Sequence, residues 1–153
     1  LKTIFSLGYG SRNINAFVDL LQENKINVLV DTRELPISRK SGFSKKSLTT
    51  RLEDEGIDYV HFKQLGSPSW ARSELKRTGD YDTFFLNVRN HLECAAEDAL
   101  SAVSELVARK KRLCLMCLCP DVSKCHRSIV LDLLDERFSI KHAGLRDNQP
   151  RAA

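Results

Sequence analysis

Residues 112–130 read RLCLMCLCPDVSKCHRSIV. The first six form an apolar run between polar flanks, which predicts a buried strand over 112–117. Pro120 sits within 118–122 and predicts a turn. Ser123 then reads as the cap of a helix whose buried face is Ile129, Val130, Leu133 and Leu134. Strand, turn and helix in direct succession are the repeating unit of a parallel α/β sheet.

The rest of the chain repeats that unit. Residues 3–7 (TIFSL) predict a strand that ends at Gly8-Tyr9-Gly10. Asn13 caps a helix carrying Ile14, Phe17, Val18 and Leu21 on one face. Residues 27–31 (NVLVD) are apolar on both faces, as in a central strand. A polar loop containing Pro36 and Gly42 follows, then a short helix over 45–55, capped by Ser44 and closed by Gly56. Residues 58–62 (DYVHF) predict a third strand, and 63–79 read as a long irregular loop. Residues 80–110 are helical by composition and break near Cys94. Phe138, Ile140 and His142 alternate with Ser139 and Lys141, as on a half-exposed edge strand. The expected fold is therefore a three-layer α/β domain over residues 1–146, a mostly parallel sheet of about five strands with helices on both faces. Residues 147–153 (DNQPRAA) read as a disordered tail.

Composition narrows the function class. The 153 residues are 42% hydrophobic and 29% charged, as in ordinary globular proteins. No window approaches the roughly 20 apolar residues of a membrane span, so no membrane partner is expected. The opening LKTIFSLGYG is too weakly apolar for a secretory leader. The five cysteines are odd in number and four crowd into 114–125, unlike a secreted disulfide scaffold. A reducing, cytoplasmic setting is the expectation. The net charge of +4 permits an anionic partner without demanding one.

Parallel sheets bind ligands beyond the carboxyl ends of their strands. That rule gathers residues distant in sequence. Tyr9, Ser11 and Arg12 follow the first strand, Asp31 and Arg33 end the second, His61 the third, Cys117 the fourth and His142 the fifth. With Ser123 as cap, Cys125, His126 and Arg127 fall in the first turn of the last helix. Free N–H groups and the helix dipole there favour an anion and a thiolate. Three readings stand for this segment: nucleophilic or redox chemistry at Cys117 or Cys125, a metal site drawn from Cys114, Cys117, Cys119, Cys125 and His126, or plain core packing. Asp31 and Arg33, with Arg39 nearby, fit either a buried ion pair or an anion site. Gly8-Tyr9-Gly10-Ser11-Arg12 fits a tight turn better than a phosphate cradle. Trp70 among Arg72, Lys76 and Arg77 is compatible with stacking on bases.

The sequence resembles the domain of unknown function 488 family. The likeness is carried by TIFSLGYGSR with INAFVDLLQENKI, by VLVDTRELPISRKSGFSKKSL, by GIDYVHFKQLG and above all by LCLMCLCPDVSKCHRSIV. The family pattern falls on Gly8, Ser11, Arg12, Asp31, Arg33, Pro36, Ser38, Arg39, Phe43, His61, Leu65, Gly66, Cys117, Cys125, His126 and Arg127. Relatives often carry His at the position of Tyr9, and Glu at that of Cys119. The resemblance implies an α/β fold and points to a site without naming a reaction.

Taken together, the sequence predicts an enzyme-like site. Cys117 or Cys125 is the reactive thiol, His126 its proton partner and Asp31 an orienting group or base. Ser11, Arg12, Arg33, Arg39 and Arg127 are the candidates to hold an anionic, phosphate-bearing substrate such as a nucleotide or nucleic acid. No cofactor is called for. The alternatives are a nucleic-acid-binding module without chemistry and a structural Cys/His metal site. The exposed last strand leaves room for a homodimer.

Overall fold

The computed structural model describes residues 2–147; residues 148–153, most of the expected tail, lie outside them. The elements run β1 (Thr3–Gly8), α1 (Ile14–Glu23), β2 (Val28–Asp31), α2 (Lys45–Asp54), β3 (Asp58–His61), α3 (Ser69–Thr78), α4 (Tyr81–Ala95), α5 (Glu97–Ala108), β4 (Leu113–Cys117), α6 (Arg127–Phe138) and β5 (Lys141–Ala143). The five strands form one sheet in the order β3-β2-β4-β1-β5, every pair parallel.

The two-residue alternation of each strand feeds two cores. Leu29, Cys114 and Met116 pack with Phe17 and Leu21 of α1 and Leu48 and Leu52 of α2. Val28, Val30, Leu113 and Leu115 face Val88 and Leu92 of α4, Leu100 and Val103 of α5, and Leu134 of α6. Connections stepping from β1 to β2 to β3 thus carry helices on one face. Those stepping back to β4 and on to β5 carry them on the other, as right-handed crossovers require. The direction reverses between the neighbours β1 and β4, so the helices after these two strands leave to opposite sides. The gap between them is where open α/β sheets hold ligands.

Register aligns the carboxyl ends at that gap. Gly8 pairs with Cys117, and Asp31 pairs with Met116 on one side and His61 on the other. The chain leaving β4 crosses back over Gly8. Tyr9 N–H donates to Cys117 O at 3.0 Å and Gly10 N–H to Leu118 O at 2.9 Å. A Cβ on Gly8 would lie 1.9 Å from the carbonyl oxygen of Cys119. The glycine is there for close approach of this loop, which accounts for the turn at the end of β1.

The structure corrects three local expectations. Residues 63–79 are not irregular: a 3₁₀ turn spans Lys63–Leu65 and α3 follows. Only Ala71 of α3 is fully buried, so the segment has no apolar stripe to betray it. Its punctuation was nevertheless present, Pro68 before it and Gly79 after it in the left-handed region at φ 70°. Second, Ser123 does not cap the last helix. Asp121 accepts from the Ser123 backbone N at 3.0 Å and from its hydroxyl at 2.7 Å, winding a 3₁₀ turn over Val122–Lys124. Cys125 is then extended (φ −117°, ψ 146°), and α6 begins two residues later. Third, Phe138 ends α6 and Ser139 takes φ 56°, which shortens the last strand to three residues beside β1. Asp147, expected in the tail, is ion-paired to Arg12 at 2.8 Å.

Candidate functional site

The site begins with Cys117, the last residue of β4, only 3% exposed. By alternation from Leu113 and Leu115 its side chain belongs to the α3–α6 face, opposite Cys114. The nine-residue excursion to α6 returns Cys125 to it. The two Sγ atoms are 2.7 Å apart, and Cys125 is equally buried.

Four groups converge on the Cys125 sulfur. The Cys117 thiol is one. Arg127 supplies two more donors, its backbone N at 3.5 Å and its Nε at 3.4 Å. The fourth is His126 Nδ1 at 3.6 Å. The sulfur thereby takes the place of an N-cap oxygen at the start of α6. Arg127 is 1% exposed, and its Nη2 donates to Cys119 O at 2.7 Å, which fixes the loop over the sulfurs. The other ring nitrogen of His126 lies 3.1 Å from Thr32 O. A carbonyl only accepts, so Nε2 carries a proton, and Nδ1, turned to the sulfur, donates to it when the ring is doubly protonated.

This environment splits the two thiols. The hydrogen bond from Cys117 is the largest influence lowering the Cys125 pKa, aided by the hydrogen bond and charge of His126 and the charge of Arg127, against the opposing effect of burial. Cys117 is pushed up, first by that same hydrogen bond, then by burial and the neighbouring negative charge. The pair therefore holds one proton and one negative charge, with the charge on Cys125. Cys114 on the far side of the sheet is raised to about 12 by burial.

The same sulfurs and a ring nitrogen of His126 lie within 4.8 Å of one another, donor types that a soft metal accepts. Two thiolates on one tetrahedral zinc stand about 3.8 Å apart, given a Zn–S bond of about 2.3 Å. At 2.7 Å the sulfurs lie closer than that, so a metal would have to part them by about 1 Å.

Asp31 and Arg33 form the neighbouring unit. Asp31 is fully buried and accepts from Arg33 N, Nε and Nη2 and, at 2.5 Å, from the Tyr59 hydroxyl. Burial and this bond raise the Tyr59 pKa. Arg33 Nη1 reaches the Tyr9 hydroxyl at 3.3 Å, and Tyr9 stacks on Phe43 with centroids 4.4 Å apart. His61 Nε2 lies 2.7 Å from Arg33 O. The Asp31 oxygens are thus occupied by Arg33 and Tyr59.

A cleft of about 570 Å³ opens above the sulfurs. Its floor includes Cys117, Cys125 and His126, and Tyr9 and Arg33 form one wall. Leu35, Ile37 and Leu118 line it too and are 60%, 75% and 57% exposed. Arg72, held by Glu34 at 3.0 Å and by Ser67 O, and Lys124 complete its charged lining. Of the sequence candidates, Cys117, Cys125, His126 and Arg33 meet here. Arg127 lies beneath the floor. Ser11 and Arg39 are exposed and do not line the cleft, and neither does Arg12. Sequence reasoning missed Thr32, which acts through its carbonyl and leaves no side-chain signal. It also missed Leu35 and Ile37, whose signal was two apolar residues flanking Pro36 in a polar loop.

Comparison with known proteins gives one match. The model of a family described as "Domain of unknown function DUF488" matches residues 13–134. No curated protein and no solved structure matches the chain.

Proposed function

From the premise that the chain belongs to the DUF488 family, whose description carries no activity, we propose that it is a thiol-dependent enzyme in which the Cys125 thiolate attacks a small substrate held in the cleft. The observation that carries this reading is the cradle of donors around Cys125 Sγ: the Cys117 thiol, His126 Nδ1 and the backbone and guanidinium of Arg127. A buried cysteine that merely packs is surrounded by apolar groups and stays protonated. This one is buried among charged and polar groups that favour a negative sulfur.

The roles follow from the positions. Cys125 is the nucleophile. His126, oriented by Thr32 O, passes a proton between the sulfur and the leaving group. Arg127 compensates the thiolate and is not the substrate's anion partner. The charged lining includes three basic side chains, of which Arg33 is paired with Asp31 and Arg72 with Glu34, so Lys124 is left as the net positive charge. That balance supports a substrate with an anionic group, phosphate included, attached to an apolar body that fits Leu35, Ile37 and Leu118. Nucleotides belong to that class.

The test is the rate of iodoacetamide alkylation against pH, read at each cysteine by mass spectrometry. Cys125 should alkylate at acid pH where Cys94 and Cys119 do not, and Cys125→Ser should abolish turnover in a screen of phosphorylated compounds while leaving the circular dichroism unchanged. Alkylation of Cys125 with the pH profile of an ordinary thiol, near about 8.5, would remove the basis of the proposal.

A further inference from the structure

We propose that Cys117 is the resolving thiol of Cys125, so that a hydroperoxide converts the pair into a reversible Cys117–Cys125 disulfide on the floor of the cleft. The proposal rests on the thiolate reading of Cys125 and adds an oxidant class and a second cysteine to it.

The geometry supplies the argument. The sulfurs are 2.7 Å apart, and a bond needs about 2.05 Å, so closure asks less than about 1 Å of movement. Cys117 is anchored by the central strand β4, whereas Cys125 sits in extended backbone between a 3₁₀ turn and α6, outside any helical ladder. The movable partner is therefore the one that reacts first. Both cysteines are 3% exposed, so an oxidised Cys125 faces Cys117 before it faces solvent. Cys119 is the rival, but its thiol donates to Asp121 O at 3.4 Å, away from the pair. Cys114 lies in the core of the opposite face.

The steps balance. The Cys125 thiolate attacks one oxygen of ROOH; an S–O bond forms, the O–O bond breaks, and RO⁻ leaves as ROH with a proton from His126. Sulfur is oxidised by two electrons to the sulfenic acid and the peroxide is reduced. The Cys117 sulfur then attacks Cys125 Sγ; an S–S bond forms, the S–O bond breaks, and hydroxide departs as water with the Cys117 proton. A small dithiol reduces the disulfide by exchange and is itself oxidised. The donors around Cys125 favour its thiolate and offer nothing to a disulfide, so the reduced pair is the stabilised one and the disulfide is readily reversed. That suits a turnover or protective state and not a permanent cross-link.

The experiment treats the reduced full chain with one equivalent of tert-butyl hydroperoxide, blocks remaining thiols and digests with trypsin without reductant. Cleavage after Arg112, Lys124 and Arg127 leaves Cys117 in residues 113–124 and Cys125 in residues 125–127. The expected product is these two peptides joined through Cys117, separated again by dithiothreitol. Cys119→Ser should still form it. Cys117→Ser should stop at a Cys125 sulfenic acid that dimedone traps. Three results would overturn the inference while rapid acid alkylation of Cys125 still stands: a link through Cys119, sulfinic acid at Cys125 without a link, or no reaction with the peroxide. Loss of acid alkylation together with loss of peroxide reactivity would instead overturn the thiolate reading on which it rests.

Discussion

Replacing Cys117 by alanine should make Cys125 a weaker acid, by an amount that the geometry sets. The Cys117 thiol is the nearest donor to the thiolate, at 2.7 Å, and the largest influence on its charge. A hydrogen bond to a charged group contributes about 1.5–3 kcal/mol. At about 1.36 kcal/mol per pH unit, losing it raises the pH of half-maximal Cys125 alkylation by about one to two units. The sign is fixed. The native thiolate persists below the ordinary thiol range and is lost as pH falls through its depressed value, so removing a donor moves that loss toward neutral pH. Cys117→Ser keeps an O–H donor in place and should hold the midpoint within a few tenths of the native one. The assay is iodoacetamide alkylation across the acid range, quenched with acid and read on the tripeptide 125–127. Circular dichroism at each pH confirms that the fold persists. An unchanged midpoint in Cys117→Ala would mean that His126 and Arg127 alone hold the charge, and the shared-proton account of the pair would be wrong. Equal shifts in the alanine and serine variants would point to packing rather than hydrogen bonding.

Other perturbations separate holding the fold from holding the charge. Asp31→Asn leaves the buried Arg33 cation without its partner and should cost about 3–5 kcal/mol in urea unfolding, with Cys125 alkylation unchanged in the folded fraction. A loss of acid reactivity there would show that Asp31 acts on the sulfur after all. Gly8→Ala places a Cβ against the Cys119 carbonyl at a distance no packing accepts, 1.9 Å. It should destabilise by about 1–3 kcal/mol or more and slow Cys125 alkylation by displacing the loop over β1. Native rates would show that the loop position is irrelevant to the thiolate. Arg127→Lys retains the charge but loses the fork that reaches both Cys119 O and Cys125 Sγ. It should raise the alkylation midpoint and lower stability by about 1–3 kcal/mol, measured by the same two assays.

How much was legible follows from where the information sits. Strands β1, β2 and β4 are short apolar runs because they fill the two cores, while β3 at the edge of the sheet is only half buried. Helices α1 and α5 show their stripes for the same reason. α3 was invisible because it buries one alanine and exposes Trp70 at 56%. Strand order rests on pairings between residues far apart, such as Gly8 with Cys117 and Asp31 with His61, which no local pattern encodes. The site was legible in part, because all parallel strands end at the same edge and the residues there are ordered by topology. What the sequence did not carry was the direction of the arginines. Arg12 begins the turn into α1, and its partner is Asp147. Arg127 opens α6 facing inward, onto Cys125 Sγ and Cys119 O. A helix start three residues later than a Ser123 cap would give, set by Asp121 capturing Ser123, decides that orientation.

The two positions at which this chain departs from the pattern it resembles bear on how the site divides its labour. At residue 119, where relatives often carry Glu, the part that matters to the sulfurs is main chain. The Cys119 carbonyl receives Arg127 Nη2 and packs over Gly8, and any side chain leaves those contacts in place. At residue 9, where relatives often carry His, the Tyr9 ring stacks on Phe43 and its hydroxyl meets Arg33, again without touching either sulfur. Both side chains line the cleft. The groups that make Cys125 a thiolate are instead the end of β4, the first residues of α6 and the Thr32 carbonyl, all fixed by the reversal of direction between β1 and β4. Exchange at residues 9 and 119 therefore changes the lining of the cleft and leaves the hydrogen bonds to Cys125 Sγ in place. A Cys119→Glu chain should accordingly still alkylate at Cys125, with its midpoint raised by the added negative charge.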